Sequence, residues 1–215
     1  MDDLWPLAAL RVRSDDLELR YMDDADVHAL ARLAAEGVHA PDSMPFTVPW
    51  TRGTPTEVAR SVLTYQWGAR ATAAPERWYL ELAVVRAGEV LGTQAVMAHE
   101  FPVTRTAETG SWLGLRHHGQ GIGTRMRLMI LHLLFDGFDG LRATTSAFDD
   151  NASSNGVTRR IGYAENGADL LAREGKPALS RRYVLDRATW DSRPAELRPE
   201  VDLVGIPAVR EQLGI

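Results

Sequence analysis

"LRHHGQGIGTRM" (residues 115–126) sets glycines at 119, 121 and 123 directly ahead of a run with helical spacing. Glycine loses more conformational freedom on folding than any other residue. A cluster of it marks backbone that must take positive φ or let a ligand come close. The first turn of a helix just beyond leaves N–H groups without intrahelical partners and carries the positive end of a macrodipole. Together these describe an anion cradle, most often for phosphate. A plain glycine-rich turn between strand and helix is the alternative that the local pattern leaves open.

Two common phosphate motifs do not fit. A P-loop needs Lys and then Ser/Thr after its last glycine, whereas Gly123 is followed by Thr124 and Arg125. The dinucleotide fingerprint G-x-G-x-x-G has a different spacing. Its acid about twenty residues on, at the end of a second parallel strand, is missing; Asp136 and Asp139 lie beyond the first helix instead.

The rest of the chain bounds the answer. Its 215 residues, 45% hydrophobic and 25% charged, suit one large globular domain with a substantial core. With no cysteine, disulfides, thiolate zinc sites and a cysteine nucleophile are excluded, and a reducing, cytoplasmic location is expected. "MDDLWPLAALRV" (1–12) opens with two acids, so no signal peptide is expected. The longest apolar run, residues 128–135, is broken by His132 and is too short to span a bilayer, so no membrane association is expected. A net charge of −5 argues against nucleic-acid binding and mildly favours cationic acceptors such as amines. No His/Asp/Glu cluster has metal-ligand spacing, and no metal is expected.

Periodicity predicts alternating strands and helices. "LELRYM" (17–22) reads as a strand; Asp24 caps a helix carrying Val27, Leu30 and Ala34, ended by Gly37. A proline-rich loop follows. "TPTE" (54–57) then gives Thr54 as N-cap, Pro55 at the first helical position and Glu57 closing a capping box; Val58, Val62 and Tyr65 face inward. Residues 78–85 and 89–98 form a hairpin around Ala87-Gly88, and 106–115 is a strand leading into the glycine loop. A helix runs from Gly121 to about Phe135, a strand over 141–148, a short helix over 151–161 and a closing strand over 179–186, ahead of a proline-rich tail. This order suits one mixed, layered α/β domain.

The segment His118-Gly119-Gln120-Gly121-Ile122-Gly123 resembles the pyrophosphate loop of the GNAT superfamily of N-acetyltransferases, Gln/Arg-x-x-Gly-x-Gly/Ala, with histidine at the first position. Upstream, "AETGSWLGL" (107–115) resembles the strand that enters this loop in the subgroup acetylating ribosomal-protein N-termini. Downstream, "NASSNGVTRRIGY" (151–163) resembles that subgroup's Asn-x-x-Ser…Gly-aromatic segment. The likeness extends over residues 17–186, taken as the acyltransferase domain 1–186 with a C-terminal tail, 187–215. Its implied fold is a mixed, mostly antiparallel central sheet flanked by helices, with the fourth and fifth strands splayed. The locally basic stretch between Glu108 and Asp136, with Arg116, Arg125, Arg127 and three histidines and no acid, suits a pyrophosphate. Arginines that merely solvate a helix face would explain part of it.

What the resemblance implies is acyl transfer, with acetyl expected, from coenzyme A to a primary amine, with acetyl-CoA or another acyl-CoA as co-substrate. The backbone of Leu113 and Leu115 would pair with the pantetheine arm. Backbone N–H groups from His118 through Gly119, Gln120, Gly121, Ile122 and Gly123 to Thr124 would hold the pyrophosphate. The Thr124 hydroxyl adds a bond or caps the helix, and Asn151 bonds the pantetheine, caps its helix, or does both. The tyrosine that many members use as acid corresponds to Thr158 here, which leaves Ser154 as donor to the departing sulfur. Glu108 matches a glutamate that several members use as base, with Glu81 the second choice. Met44, Phe46 and Trp50, in a loop without period, would line the acceptor end or plug the sheet. The acceptor is a small amine or a protein N-terminus, the acyl group could be larger, such as succinyl, and a non-catalytic acyl-CoA-binding module is the other class. The tail is expected to cover the domain or a partner in a homodimer.

Overall fold

The structure, a computed structural model, describes residues 4–215; the first residues of the acidic N-terminus lie outside it. Nine strands form one sheet. They are β1 (Arg11–Ser14), β2 (Leu17–Tyr21), β3 (Arg77–Arg86), β4 (Glu89–His99), β5 (Thr106–Leu113), β6 (Arg142–Phe148), β7 (Ala164–Arg173), β8 (Lys176–Asp186) and β9 (Asp202–Val204). Their order is β7-β8-β6-β5-β4-β3-β2-β1-β9. Every pairing is antiparallel except β5 with β6. The sheet is therefore mixed and mostly antiparallel, as expected.

Helices α1 (Asp24–Glu36) and α2 (Pro55–Ala71) cover one face, and α3 (Phe101–Thr104) is a single turn after β4. Helix α4 (Ile122–His132) continues through a wider π turn to Gly137 and packs on the other face. Helices α5 (Ala152–Arg160), α6 (Arg187–Asp191) and α7 (Ile206–Leu213) complete the order. Alternation along β3 divides the core: Leu80, Leu82 and Val84 enter the α4 side, while Ala83 and Val85 meet Val27, Leu30, Val58 and Val62 of α1 and α2.

The capping box of α2 is present in both directions, Thr54 N–H to Glu57 Oε2 at 2.8 Å and Glu57 N–H to Thr54 Oγ1 at 3.3 Å. Helix α1 is capped one residue earlier than expected. Asp23, not Asp24, has extended backbone and accepts from the Asp26 N–H at 2.8 Å. Tyr65 also departs from the expected pattern: Val58 and Val62 are buried, but Tyr65 is half exposed, because its hydroxyl reaches a polar partner on β3 instead of the core.

Three strands carry no clear period in the sequence. β7 is an edge strand, exposed or half-buried throughout and interrupted by Gly167 at φ +95°, so neither face imposes alternation. β1 and β9 are short and pair with each other, which adds residues after Asp186 to the sheet. Trp190, Val209 and Leu213 of the same segment are fully buried in the α4-side core.

Candidate active site

The cleft begins where β5 and β6 part. They pair only from Thr106↔Arg142 to Glu108↔Thr144. Beyond that the Thr145 hydroxyl bridges the gap to the Thr109 carbonyl at 2.9 Å. Strand geometry sends the backbone groups of alternate residues to the same edge, so Ser111 and Leu113 also face the opening. A His118 ring nitrogen lies 3.0 Å from the Leu113 carbonyl, which turns that side chain back toward the strand. Leu115 lines the cleft, but its N–H donates to Gly37 and its carbonyl accepts from the His118 N–H, leaving no free backbone donor. Ser111, which sequence reasoning passed over, stands in the open part of the splay.

Gly119 and Gly121 take φ of +73° and +75°, and Gly121 is the N-cap of α4 without any side-chain cap. Among the described residues, no backbone acceptor takes the N–H groups of Gly119, Gln120 or Gly121. Those of Ile122, Gly123 and Thr124 open the helix and lack partners for the usual reason. A Cβ built on Gly119, Gly121 or Gly123 meets nothing within 4 Å. The loop is thus a row of free N–H donors before open space, and the Ile122 side chain anchors it in the core at 1% exposure. Such a row of donors can bind an anion.

The surrounding cations behave differently from one another. Arg116 is ion-paired with Glu36 and Glu89, and Arg125 with Asp15 and Asp16. Burial pushes the His117 ring below its usual pKa. Arg127 faces the cleft and donates to the hydroxyls of Thr158 and Ser154, at 2.5 and 3.1 Å. Asn151 caps α5 through Oδ1, which accepts from the Ser154 N–H at 3.1 Å; its amide nitrogen has no protein acceptor among the described residues. Asn151, Ser154 and Thr124 all line the same cleft, whose volume is about 1460 Å³. Tyr163 belongs to the core, its hydroxyl 3.2 Å from that of Thr109.

The opposite end is set by cross-strand rows on the α1/α2 face. Glu81, Ala95 and Gly110 form one row across β3, β4 and β5; Ala83, Thr93 and Trp112 flank it on one side, and Tyr79, Met97 and Glu108 on the other. Small residues beside Glu81 leave a trough over it. Glu81 is 7% exposed yet lines the cleft. It accepts from Tyr65 at 2.9 Å and Thr93 at 3.0 Å, with Gln66 as a third donor. Burial raises its pKa against the effect of those donors. The Thr93 hydroxyl also lies 3.1 Å from the Leu82 carbonyl. Its one hydrogen can turn to either acceptor, so the site accommodates both protonation states of Glu81. Glu108, one row away, is exposed and outside the cleft lining, although its surroundings raise its pKa too.

Met44, Phe46 and Trp50 reach the cleft from the loop between α1 and α2. His39, Phe46, Trp50 and Trp112 make a chain of ring contacts, at centroid separations of 5.9, 4.9 and 5.5 Å. The β7–β8 turn pins this loop: Arg52 pairs with Glu174, while Arg173 pairs with Asp150 and donates to the Met44 carbonyl. Sequence reasoning missed the turn because β7 has no period.

With fold and cleft in place, comparison with known proteins decides the family. Residues 16–164 match the acetyltransferase (GNAT) domain. The chain is a GNAT acetyltransferase. Solved structures agree on the fold. RimL, the ribosomal L7/L12 α-N-protein acetyltransferase in complex with coenzyme A, matches at 23% identity and a TM-score of 0.63, over 80% of this chain and 95% of that one. A GCN5-related N-acetyltransferase from Brucella melitensis matches at 19% and 0.66, over 85% and 80%. The microcin C7 self-immunity acetyltransferase MccE, in complex with acetyl-CoA and AMP, matches at 19% and 0.62, over 80% and 93%. Among the described residues no group of His, Asp and Glu could hold a metal, and no helix is long and apolar enough to cross a membrane.

Proposed function

We propose that this acetyltransferase moves an acetyl group directly from acetyl-CoA to a primary amine, free or at a peptide N-terminus, with Glu81 as the base. The observation that carries the reading is one cleft with unpaired N–H donors at one end and a buried, three-donor carboxylate at the other.

Acetyl-CoA is a substrate, and the residues present suit it. Bare backbone from Gly119 to Thr124 offers donors to a pyrophosphate. Ser111 and Leu113 offer an open strand edge to the pantetheine amides, and the Asn151 amide adds a donor at the mouth of α5. The amine must lose a proton to attack the thioester carbonyl. Glu81 lies inside the cleft and Glu108 does not, so the ammonium proton goes to Glu81, directly or through one water, and on to solvent. The second N–H proton, acidified as the C–N bond forms, follows it to Glu81. The C–N bond forms as the C–S bond breaks, and the electron pair leaves on sulfur. Ser154 faces the cleft with its hydroxyl proton uncommitted and donates to that thiolate.

The apolar rings of Phe46, Trp50 and Trp112 suit an acceptor with an apolar body behind its amine. A reducing, cytoplasmic setting and a homodimer complete the proposal, the latter tested by sedimentation at micromolar concentration. Steady-state release of CoA thiol across a panel of aliphatic, aromatic and N-terminal peptide amines tests the function. Amine-dependent release supports it; release that ignores the amine refutes it.

A further inference from the structure

Arg127 faces the cleft with a set of partners that needs explaining. Arg116 and Arg125 are neutralised by carboxylates. Among the described residues, no carboxylate lies within ion-pair distance of Arg127, which instead donates to the hydroxyls of Thr158 and Ser154. The nearby titratable group is Tyr163, whose pKa burial pushes up to about 12, so it stays neutral. Arg127 is half-buried and opens onto the cleft, where its hydroxyl partners leave its charge uncompensated. That charge is open to an anion that enters the cleft.

The geometry says which one. The Ser154 oxygen accepts from Arg127, so its single proton has to point elsewhere, and it lines the cleft. The Thr158 oxygen, at 0% exposure, fixes the other arm of the guanidinium. We infer that Arg127 is a positioning residue for acyl transfer: it orients Ser154 as a one-way donor to the sulfur of coenzyme A, and its charge stabilises the thiolate that leaves. The inference rests on the proposed acetyl-CoA reading. The step balances without another reactant. The amine proton passes to Glu81, the C–S electron pair stays on sulfur as the thiolate, and the thiolate is held by a charge-assisted hydrogen bond until CoA departs. No proton leaves Arg127.

Coenzyme A itself is the probe. A nearby cation lowers the pKa of a thiol, as it does that of cysteine, which titrates at about 8.5 when free. Thiolate absorbance is followed against pH for CoA bound to the wild-type protein, with occupancy set by calorimetry. The expected result is a bound thiol titrating about one unit or more below free CoA. Arg127→Gln and Ser154→Ala should return it toward the free value, while Arg127→Lys keeps part of the shift. A wild-type complex in which the thiol titrates as in free CoA overturns the inference and needs no variant to do so. A shift that survives intact in folded Arg127→Gln also overturns it, assigning the effect to backbone dipoles. CoA that binds with an unshifted thiol defeats this inference alone; CoA that does not bind defeats the acetyl-CoA reading with it.

Discussion

The two ends of the cleft are made of different material. At the cofactor end the chain offers backbone: N–H groups from Gly119 to Thr124 and the open edge of β5, with the Ile122 side chain turned into the core. At the acceptor end it offers side chains: a carboxylate under three donors and a wall of rings on a loop pinned by ion pairs. Backbone recognition demands conformation and tolerates few substitutions. Side-chain recognition demands particular residues at particular places, and those can change without disturbing the glycine loop. Substitutions at the two ends should therefore separate acyl-CoA binding from acceptor chemistry.

The largest expected effect is on the acceptor side. Glu81→Gln should lower kcat by roughly 10²-fold or more near neutral pH, the scale of a lost general base, and recover partly as pH rises and the amine deprotonates unaided. Acyl-CoA affinity should stay put. The same variant carries a stability signature. Burial raises the Glu81 pKa, so the folded state holds its proton more tightly than the unfolded state. Its contribution is fully present below the unfolded value and is lost as pH rises through the folded one. Glu81→Gln should remove that loss and melt higher than wild type at neutral and alkaline pH. A kcat profile parallel to wild type would return the base assignment to Glu108.

Gly121→Val breaks the other end. A branched side chain at φ +75° costs about 1–2 kcal/mol and its Cβ enters the open space before the loop. CoA affinity by calorimetry should fall by roughly 10²-fold in a protein whose core, on circular dichroism, is intact. Unchanged affinity would remove the phosphate assignment. Ser154→Ala should lower kcat roughly 10- to 100-fold, a lost hydrogen bond to a developing charge, with little change in acetyl-CoA KM. Normal kcat would take serine out of the step. Trp50→Ala should raise the acceptor KM by roughly tenfold and leave the acyl-CoA KM within about twofold, in line with truncation of a packed aromatic contact. Equal effects on both would erase the distinction between the ends. The smallest effect belongs to the pin: Glu174→Gln removes an exposed pair worth about 0.2–1 kcal/mol, and acceptor KM should move by less than about fivefold.

How much of this the sequence shows depends on the range of each interaction. The glycine loop, the Thr54–Glu57 capping box and the Asn151 cap are local chemistry, legible from spacing over a few residues. The Asp23 cap shows the limit even there: the sequence pointed to Asp24, and backbone geometry puts the cap one residue earlier. The choice between Glu81 and Glu108 is not local. It depends on the register of β3, β4 and β5, which places Ala95 and Gly110 beside Glu81 and sets Glu108 on an exposed row. The same holds for the arginines near the loop. Nothing in the segment from 109 to 135 foretells that Glu36, Glu89, Asp15 and Asp16, from distant parts of the chain, neutralise Arg116 and Arg125 but not Arg127. Edge strand β7 was invisible because a strand with no buried face carries no alternation.

The central claim is that one cleft joins an acyl-CoA cradle to an amine-activating carboxylate. The most direct measurement is the steady-state release of CoA thiol from acetyl-CoA by the wild-type protein, with and without each amine of the panel, beside Gly121→Val and Glu81→Gln at the same pH. The account predicts release that depends on the amine, a raised acetyl-CoA KM in Gly121→Val and a lowered kcat in Glu81→Gln. Acetyl-CoA bound tightly by calorimetry, with no amine of any class raising thiol release above hydrolysis, would contradict it.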